Sequence, residues 1–175
     1  MDIIRVDKEL PEELRERLTD GIAAIDEAVF GESKWGREAF TENIANDYDC
    51  LLAAVYGLSA ADGKKTGLDD AGSESIKGDV PVVAGYALLR CFSDAELIYI
   101  AVSEEYRGRG TGKRLLKELI EEAEGRNAGS IFLEVRAGNA PAIKMYESAG
   151  FTACGIRKGY YHAPKEDAVI MRFEC

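Results

Sequence analysis

The stretch Ile98–Gly112 constrains this chain more than any other: Ile-Tyr-Ile-Ala-Val-Ser-Glu-Glu-Tyr-Arg-Gly-Arg-Gly-Thr-Gly. An apolar strand runs into a polar turn, and a glycine-studded loop then opens a helix over Lys113–Glu124. Leu115, Leu116, Leu119, Ile120 and Ala123 recur there at helical spacing. Gly108, Gly110 and Gly112 let backbone N–H groups crowd toward one point. The helix N-terminus adds unpaired donors and a partial positive charge. With Arg107 and Arg109 in the same turn, the segment predicts a phosphate cradle with pyrophosphate as its guest. Spacing excludes two common phosphate loops. A P-loop needs G-x-x-x-x-G-K-[ST], but Gly108 and Gly112 are too close and Arg114 follows Lys113. A dinucleotide fingerprint needs G-x-G-x-x-G, and here the third glycine comes one residue early.

With 175 residues, 46% of them hydrophobic, the chain is long and apolar enough for one domain with a sizeable core. No apolar run approaches the ~20 residues that span a bilayer. The start, Met-Asp-Ile-Ile-Arg-Val-Asp, lacks a basic segment followed by an apolar one, so a cytoplasmic protein without membrane association is expected. A net charge of −10 disfavours nucleic acid as a partner, because neutralising phosphates needs a basic surface. Cys50, Cys91, Cys154 and Cys175 are scattered with no C-x-x-C pair, so neither structural zinc nor a disulfide framework is expected, and no metal site is proposed. Cys154, in a strand with no nearby base, reads as a buried small hydrophobe.

Residues 1–8 alternate as a first strand. Pro11 starts a helical pattern through Leu14, Leu18, Ile22, Ile25 and Val29, and Gly31 falls at its stop. A second helix is predicted over Arg37–Ala45, lining a substrate groove beside Trp35. Strands follow at Cys50–Tyr56 and Val82–Phe92. Between them, 57–80 is rich in glycine and charge and poor in large apolar residues, which predicts a flexible surface loop. Ala95–Val102 reads as a strand with Glu96, Ile98, Ile100 and Val102 on one face. Ser130–Arg136 is a strand, Asn139 caps a helix containing Pro141, and Gly150 closes it. Phe151–Arg157 and Asp167–Phe173 form a final hairpin, with Tyr160 and Tyr161 in its linker and His162 in a loop. The order β-α-α-β-β-β-α-β-α-β-β predicts a single mixed α/β domain.

From residue 95 onward particular motifs add to this. They are Ile100-Ala101-Val102, the loop Arg107–Gly112, Leu133-Glu134-Val135-Arg136 with Asn139-Ala140-Pro141-Ala142-Ile143, and Tyr146-Glu147-Ser148-Ala149-Gly150-Phe151. Arg157-Lys158-Gly159-Tyr160-Tyr161 and Glu166-Asp167-Ala168 follow. Together they resemble the bacterial ribosomal-protein alanine N-acetyltransferase branch of the GNAT superfamily. The first half is similar only in pattern. It departs at Phe30–Trp35, longer than the branch's F-x-x-P-W segment and without proline, and at the long 57–80 loop.

The resemblance implies a mainly antiparallel sheet flanked by helices, and direct acetyl transfer from acetyl-CoA, the co-substrate, to an amine. It implies that the amides around Ile100, Ala101 and Val102 lie beside the pantetheine arm. Arg107, Gly108, Arg109, Gly110, Thr111, Gly112 and Lys113 would hold the pyrophosphate, and Asn139 would touch the coenzyme, although a helix cap alone explains that asparagine. Glu134 corresponds to the general base, with Glu96 as its rival on the preceding strand. Tyr146 corresponds to the acid that protonates the leaving thiolate, and it too borders the coenzyme. Trp35, Tyr160 and Tyr161 are candidates for shaping the acceptor pocket; packing is the other reading of all three. The acceptor implied is a peptide or protein N-terminus, and the enzyme a monomer or homodimer. A small-amine acetyltransferase, or a non-catalytic acetyl-CoA sensor, are the alternatives.

Overall fold

The computed structural model describes residues 1–58 and 81–175. The expected 57–80 loop, apart from Gly57 and Leu58, lies outside them. The elements are β1 (Asp2–Arg5), α1 (Glu12–Phe30), α2 (Arg37–Ala45), β2 (Asp49–Tyr56), β3 (Val82–Cys91), β4 (Ala95–Val102), α3 (Thr111–Gly125), β5 (Ser130–Arg136), α4 (Ala140–Ser148), β6 (Thr152–His162) and β7 (Lys165–Glu174). Their order is the one the pattern predicts. The strands form one seven-stranded sheet in the order β1-β2-β3-β4-β5-β7-β6. Only β4 and β5 run parallel; the other neighbours are antiparallel.

Each face of the sheet is covered by helices whose apolar stripes match it. Leu14, Leu18 and Ile22 of α1 and Phe40 of α2 pack on Leu51, Tyr86 and Leu88. On the other face, Leu115, Leu116 and Leu119 of α3 and Tyr146 of α4 pack on Leu89, Ile131 and Leu133. Each of the three α3 leucines is buried to 1% exposure or less, worth roughly 1.5–3 kcal/mol apiece. Among the described residues, no helix is long and apolar enough to cross a membrane.

Two expectations about strands are corrected. In β4, Leu88 pairs with Tyr99 and Leu89 with Leu97, which leaves Ile98 as the extra residue of a bulge. The bulge inverts the alternation. Ala95 and Leu97 sit on the α3/α4 face and are followed there by Ile100 and Val102, while Ile98, Tyr99 and Ala101 pack on the α1/α2 face. Glu96, one step before the bulge, is therefore on the opposite face from Ile100 and Val102.

The terminal hairpin is also longer than expected. The strand expected over Phe151–Arg157 does not stop there: β6 continues through Tyr160 and Tyr161 to an exposed His162. Arg157 pairs with Ala168 and Tyr161 with Glu166, so Lys158, Gly159 and Tyr160 bulge opposite Asp167. Gly159 takes φ +62°, and its N–H donates to Asp167 Oδ1 at 2.7 Å. Cys154 is exposed rather than buried. It is the unpaired residue of another bulge, between Ala153 and Gly155, on the sheet's edge strand.

Candidate active site

The parallel pair β4–β5 holds for Ala95–Ile131, Glu96–Phe132 and Leu97–Leu133 and then ends. The bulge at Ile98 turns β4 away just there, and the two strands diverge. From Ile98 onward, the edge of β4 that faces β5 has no strand partner, so apart from Val102 O, which accepts from Arg107 Nε, its backbone groups are open to a ligand. The gap is a cavity of about 230 Å³ lined by residues from both faces of the sheet. Leu133, Val135 and Tyr146 reach it from the α3/α4 side, and Phe30 and Tyr99 from the α1/α2 side. The cleft thus passes through the sheet. Glu134 alternates with Leu133 and Val135 and so stands on the α1/α2 side, opposite Tyr146.

Glu134 has 19% of its side chain exposed, and its Oε1 forms an ion pair with Arg157 Nη1 at 2.9 Å. Donation of the Tyr160 hydroxyl to the same carboxylate is the main cause that pushes the Tyr160 phenol up to about 12, with burial second. Tyr146 is 5% exposed, and burial, then the neighbouring Tyr161, raise its phenol well above the ordinary range. It therefore keeps its proton through neutral pH, the state a general acid requires. Tyr161 lines the cleft and is raised chiefly by burial, against the opposing pull of Arg136. The Arg136 guanidinium lies 4.1 Å over the Tyr161 ring. It donates to Ala163 O at 3.1 Å, to Pro164 O at 3.2 Å and to Glu166 Oε2 at 3.1 Å. Glu166 Oε1 in turn accepts from Gly138 N at 2.6 Å. One arginine thus fastens the tip of the β6–β7 hairpin beside the cleft.

At the α3 N-terminus, Gly108 and Gly110 take φ +72° and +83°, and a Cβ on either would meet nothing within 4 Å. Among the described residues, none of the amides from Gly108 to Lys113 donates to a protein acceptor. The loop is therefore an open set of donors on a helix N-terminus and fits a pyrophosphate. The side chains of the loop are used otherwise. Arg107 Nε donates to Val102 O at 3.1 Å, Arg109 lies 5.6 Å over the Tyr106 ring, and Thr111 Oγ1 donates to Tyr106 O at 3.4 Å while 1% exposed. Here only the backbone of Thr111 is available to a ligand.

Not every candidate is at the cleft. Ile100 and Asn139 line it. Asn139 Oδ1 caps α4 by accepting from Ala142 N at 3.2 Å, and among the described residues its amide nitrogen has no acceptor. Ala101 is 5% exposed and packs on the α1/α2 face, and Val102 packs on the other, so they present backbone rather than side chain. Glu96 is exposed, opposite Arg90 and Phe132, one pair before the divergence, and is not part of the cleft lining. Trp35 stands behind the lining, its ring centroid 5.0 Å from that of Tyr99 in an edge-on arrangement. Among the described residues, no group of His, Cys, Asp and Glu could hold a metal ion.

Residues 61–151 match the family model described as Acetyltransferase (GNAT) family. The chain belongs to the GNAT acetyltransferase family. It is 36% identical over 157 residues to an uncharacterised protein of Mycobacterium leprae, an alignment covering 89% of this chain and 38% of that one. It is 45% identical over 92 residues to the [ribosomal protein bS18]-alanine N-acetyltransferase of Escherichia coli K12, covering 51% of this chain and 62% of that one. It thus spans less than two thirds of the length of either relative. The crystal structure of the ribosomal-protein-S18-alanine N-acetyltransferase from Escherichia coli superposes with a TM-score of 0.69 at 26% identity, covering 99% of this chain and 94% of that chain. The mixed, mainly antiparallel sheet expected from the motifs is the GNAT fold.

Sequence reading passed over several residues that build this GNAT site. Asp26 is wholly buried on α1 and accepts from Tyr86 Oη at 2.7 Å, Trp35 N at 2.7 Å and Gly36 N at 3.1 Å. Its signal was a charge on the apolar stripe between Ile22, Ile25 and Val29. Tyr99 needed the bulge to be placed. Arg136, Arg157, Glu166 and Asp167 stood inside the motifs, but their pairings join residues far apart in sequence.

Proposed function

We propose that this chain transfers the acetyl group of acetyl-CoA to the α-amino group of a protein N-terminus, and that residues 1–175 act as one acetyltransferase domain. One observation carries the reading: a cleft through the sheet with an open backbone edge on β4, a protonated phenol from one side and a carboxylate from the other. Acetyl-CoA supplies an electrophilic thioester and a thiolate leaving group. The amides of Gly108–Lys113 bind the pyrophosphate, and the edge of β4 from Ile98 to Val102 that no strand covers aligns the pantetheine arm as an added strand. Amide donors on that edge stabilise the negative charge that grows on the carbonyl oxygen. Glu134 takes the proton that the amine nitrogen loses as it bonds to the acetyl carbon, and Tyr146 donates a proton to the sulfur as the C–S bond breaks. The names of the Escherichia coli relatives support a ribosomal-protein N-terminus as the acceptor.

The test is acetyl-CoA-dependent thiol release against Ala-, Ser- and Met-starting peptides, their N-blocked lysine versions and spermidine. Turnover on free N-termini is expected. Glu134→Gln should abolish it while acetyl-CoA still binds. Turnover only on spermidine overturns the proposal in favour of a small-amine enzyme, and tight acetyl-CoA binding without turnover on any acceptor favours a sensor.

A further inference from the structure

Glu134, the carboxylate that lines the cleft, already has a counter-ion. Arg157 Nη1 lies 2.9 Å from its Oε1, and this arginine stands on the edge strand with 58% of its side chain exposed. The guanidinium also sits 5.5 Å over the ring of Tyr160, whose phenol is raised chiefly by hydrogen bonding to the same carboxylate. The remaining charged group of the lining, Arg136, is itself paired with Glu166. Among the described residues, the two charged groups of the lining, Glu134 and Arg136, are therefore each held in an ion pair. The other titratable groups around them, Tyr99, Tyr146, Tyr160 and Tyr161, have phenols that hold their protons more tightly than usual. A bare carboxylate in a cleft is a docking site for an alkylammonium ion; one already bound to a guanidinium is a much poorer one.

We propose that Arg157 sets the choice of amine: by neutralising Glu134 it denies a protonated lysine side chain its counter-ion, and so favours the α-amine, which can arrive uncharged. This rests on the N-terminal acetyltransferase reading above. Near pH 7, roughly 10–17% of an α-amine of pKa ~7.7–8.0 is neutral, against about 0.04% of a lysine amine of pKa ~10.4, a factor of roughly 300. A site that binds only the neutral form inherits that factor. A site with an exposed carboxylate forfeits part of it, because it concentrates the ammonium form and can deprotonate it in place.

The experiment measures kcat/KM for two peptides of one sequence, one with a free N-terminus and acetylated lysine, the other N-acetylated with a free lysine. The enzymes are the wild type, Arg157→Gln and Arg157→Lys. Acetyl-CoA affinity and thermal midpoint serve as controls for folding, which an exposed arginine should leave intact. In Arg157→Gln the α-over-ε ratio should fall by about tenfold or more, with a lower KM for the lysine peptide, while Arg157→Lys keeps the ratio within about threefold. A ratio unchanged in Arg157→Gln, with both rates falling together, overturns the inference and leaves Arg157 a support for Glu134. A wild type that acetylates only the lysine peptide overturns the N-terminal reading itself, and the inference with it.

Discussion

Asp26 is the residue whose loss should do most damage for its size. Its two oxygens take three hydrogen bonds: Oδ1 from Tyr86 Oη at 2.7 Å, and Oδ2 from Trp35 N at 2.7 Å and Gly36 N at 3.1 Å. Burial, then the bond to Asp26, raises the Tyr86 phenol far above its ordinary range, so that hydroxyl stays a donor. Asp26→Ala strands a buried hydroxyl and two backbone amides. At about 1.5–3 kcal/mol for each bond to a charged acceptor, and allowing water to reach the two partly exposed amides, the loss should be roughly 4 kcal/mol. For a chain of this size that is a fall of roughly 8–16 °C in thermal midpoint. Asp26→Asn keeps an oxygen for the two amides and should lose only about 1–2 kcal/mol. The consequence reaches the cleft, because the pinned segment sets Trp35 against Tyr99 at 5.0 Å, and Phe30 meets the same ring at 5.0 Å. Chemical denaturation with thiol-release kinetics would read both effects, and acceptor KM in Asp26→Asn should rise more than acetyl-CoA KM. Asp26→Ala within about 1 kcal/mol of the wild type would refute the reasoning, since three charge-assisted bonds cannot vanish so cheaply inside a protein.

Other expectations follow from the same geometry. Tyr146→Phe should lower kcat by about tenfold with KM nearly unchanged. A thiol of pKa ~8.5 is a tolerable leaving group unaided, and a loss beyond roughly a thousandfold would mean the phenol does more than protonate it. Gly110→Ala puts a Cβ into open space but at φ +83°, so it should weaken acetyl-CoA binding through a shifted loop, read by calorimetry, with a stability loss of roughly 1–2 kcal/mol. Glu166 is held below the usual carboxylate range, first by the Gly138 N–H and then by Arg136. Its contribution is therefore present above the unfolded-state value near 4.3 and disappears as pH falls through the lower folded value. Thermal midpoints of wild type and Glu166→Gln should differ at neutral pH and converge at acid pH; a gap that persists there would remove Glu166 as its source.

Local chemistry made much of this protein legible in one dimension. The α3 stripe, the glycines before it, the Asn139 cap and the closing Gly150 are each decided within a turn or two of chain, so the element order and the glycine loop that opens α3 could be read from spacing. Glu134 and Tyr146 could be named from motifs. That they reach one cavity from opposite faces of a sheet depends on where β4 parts from β5, and so on a bulge at Ile98. The strand's apolar run does not announce that bulge, and assuming strict alternation put Glu96 with Ile100 and Val102. The expected strand stopped at Arg157, and the contact at the step beyond it, Gly159 N–H to Asp167, involves a residue of the next strand. Arg157, on β6, meets Glu134, on β5, only once the sheet has formed. Hydrophobic period and turn residues act through near neighbours and are written in sequence. Register, bulges and counter-ions depend on which strands meet, and only the tertiary structure decides that.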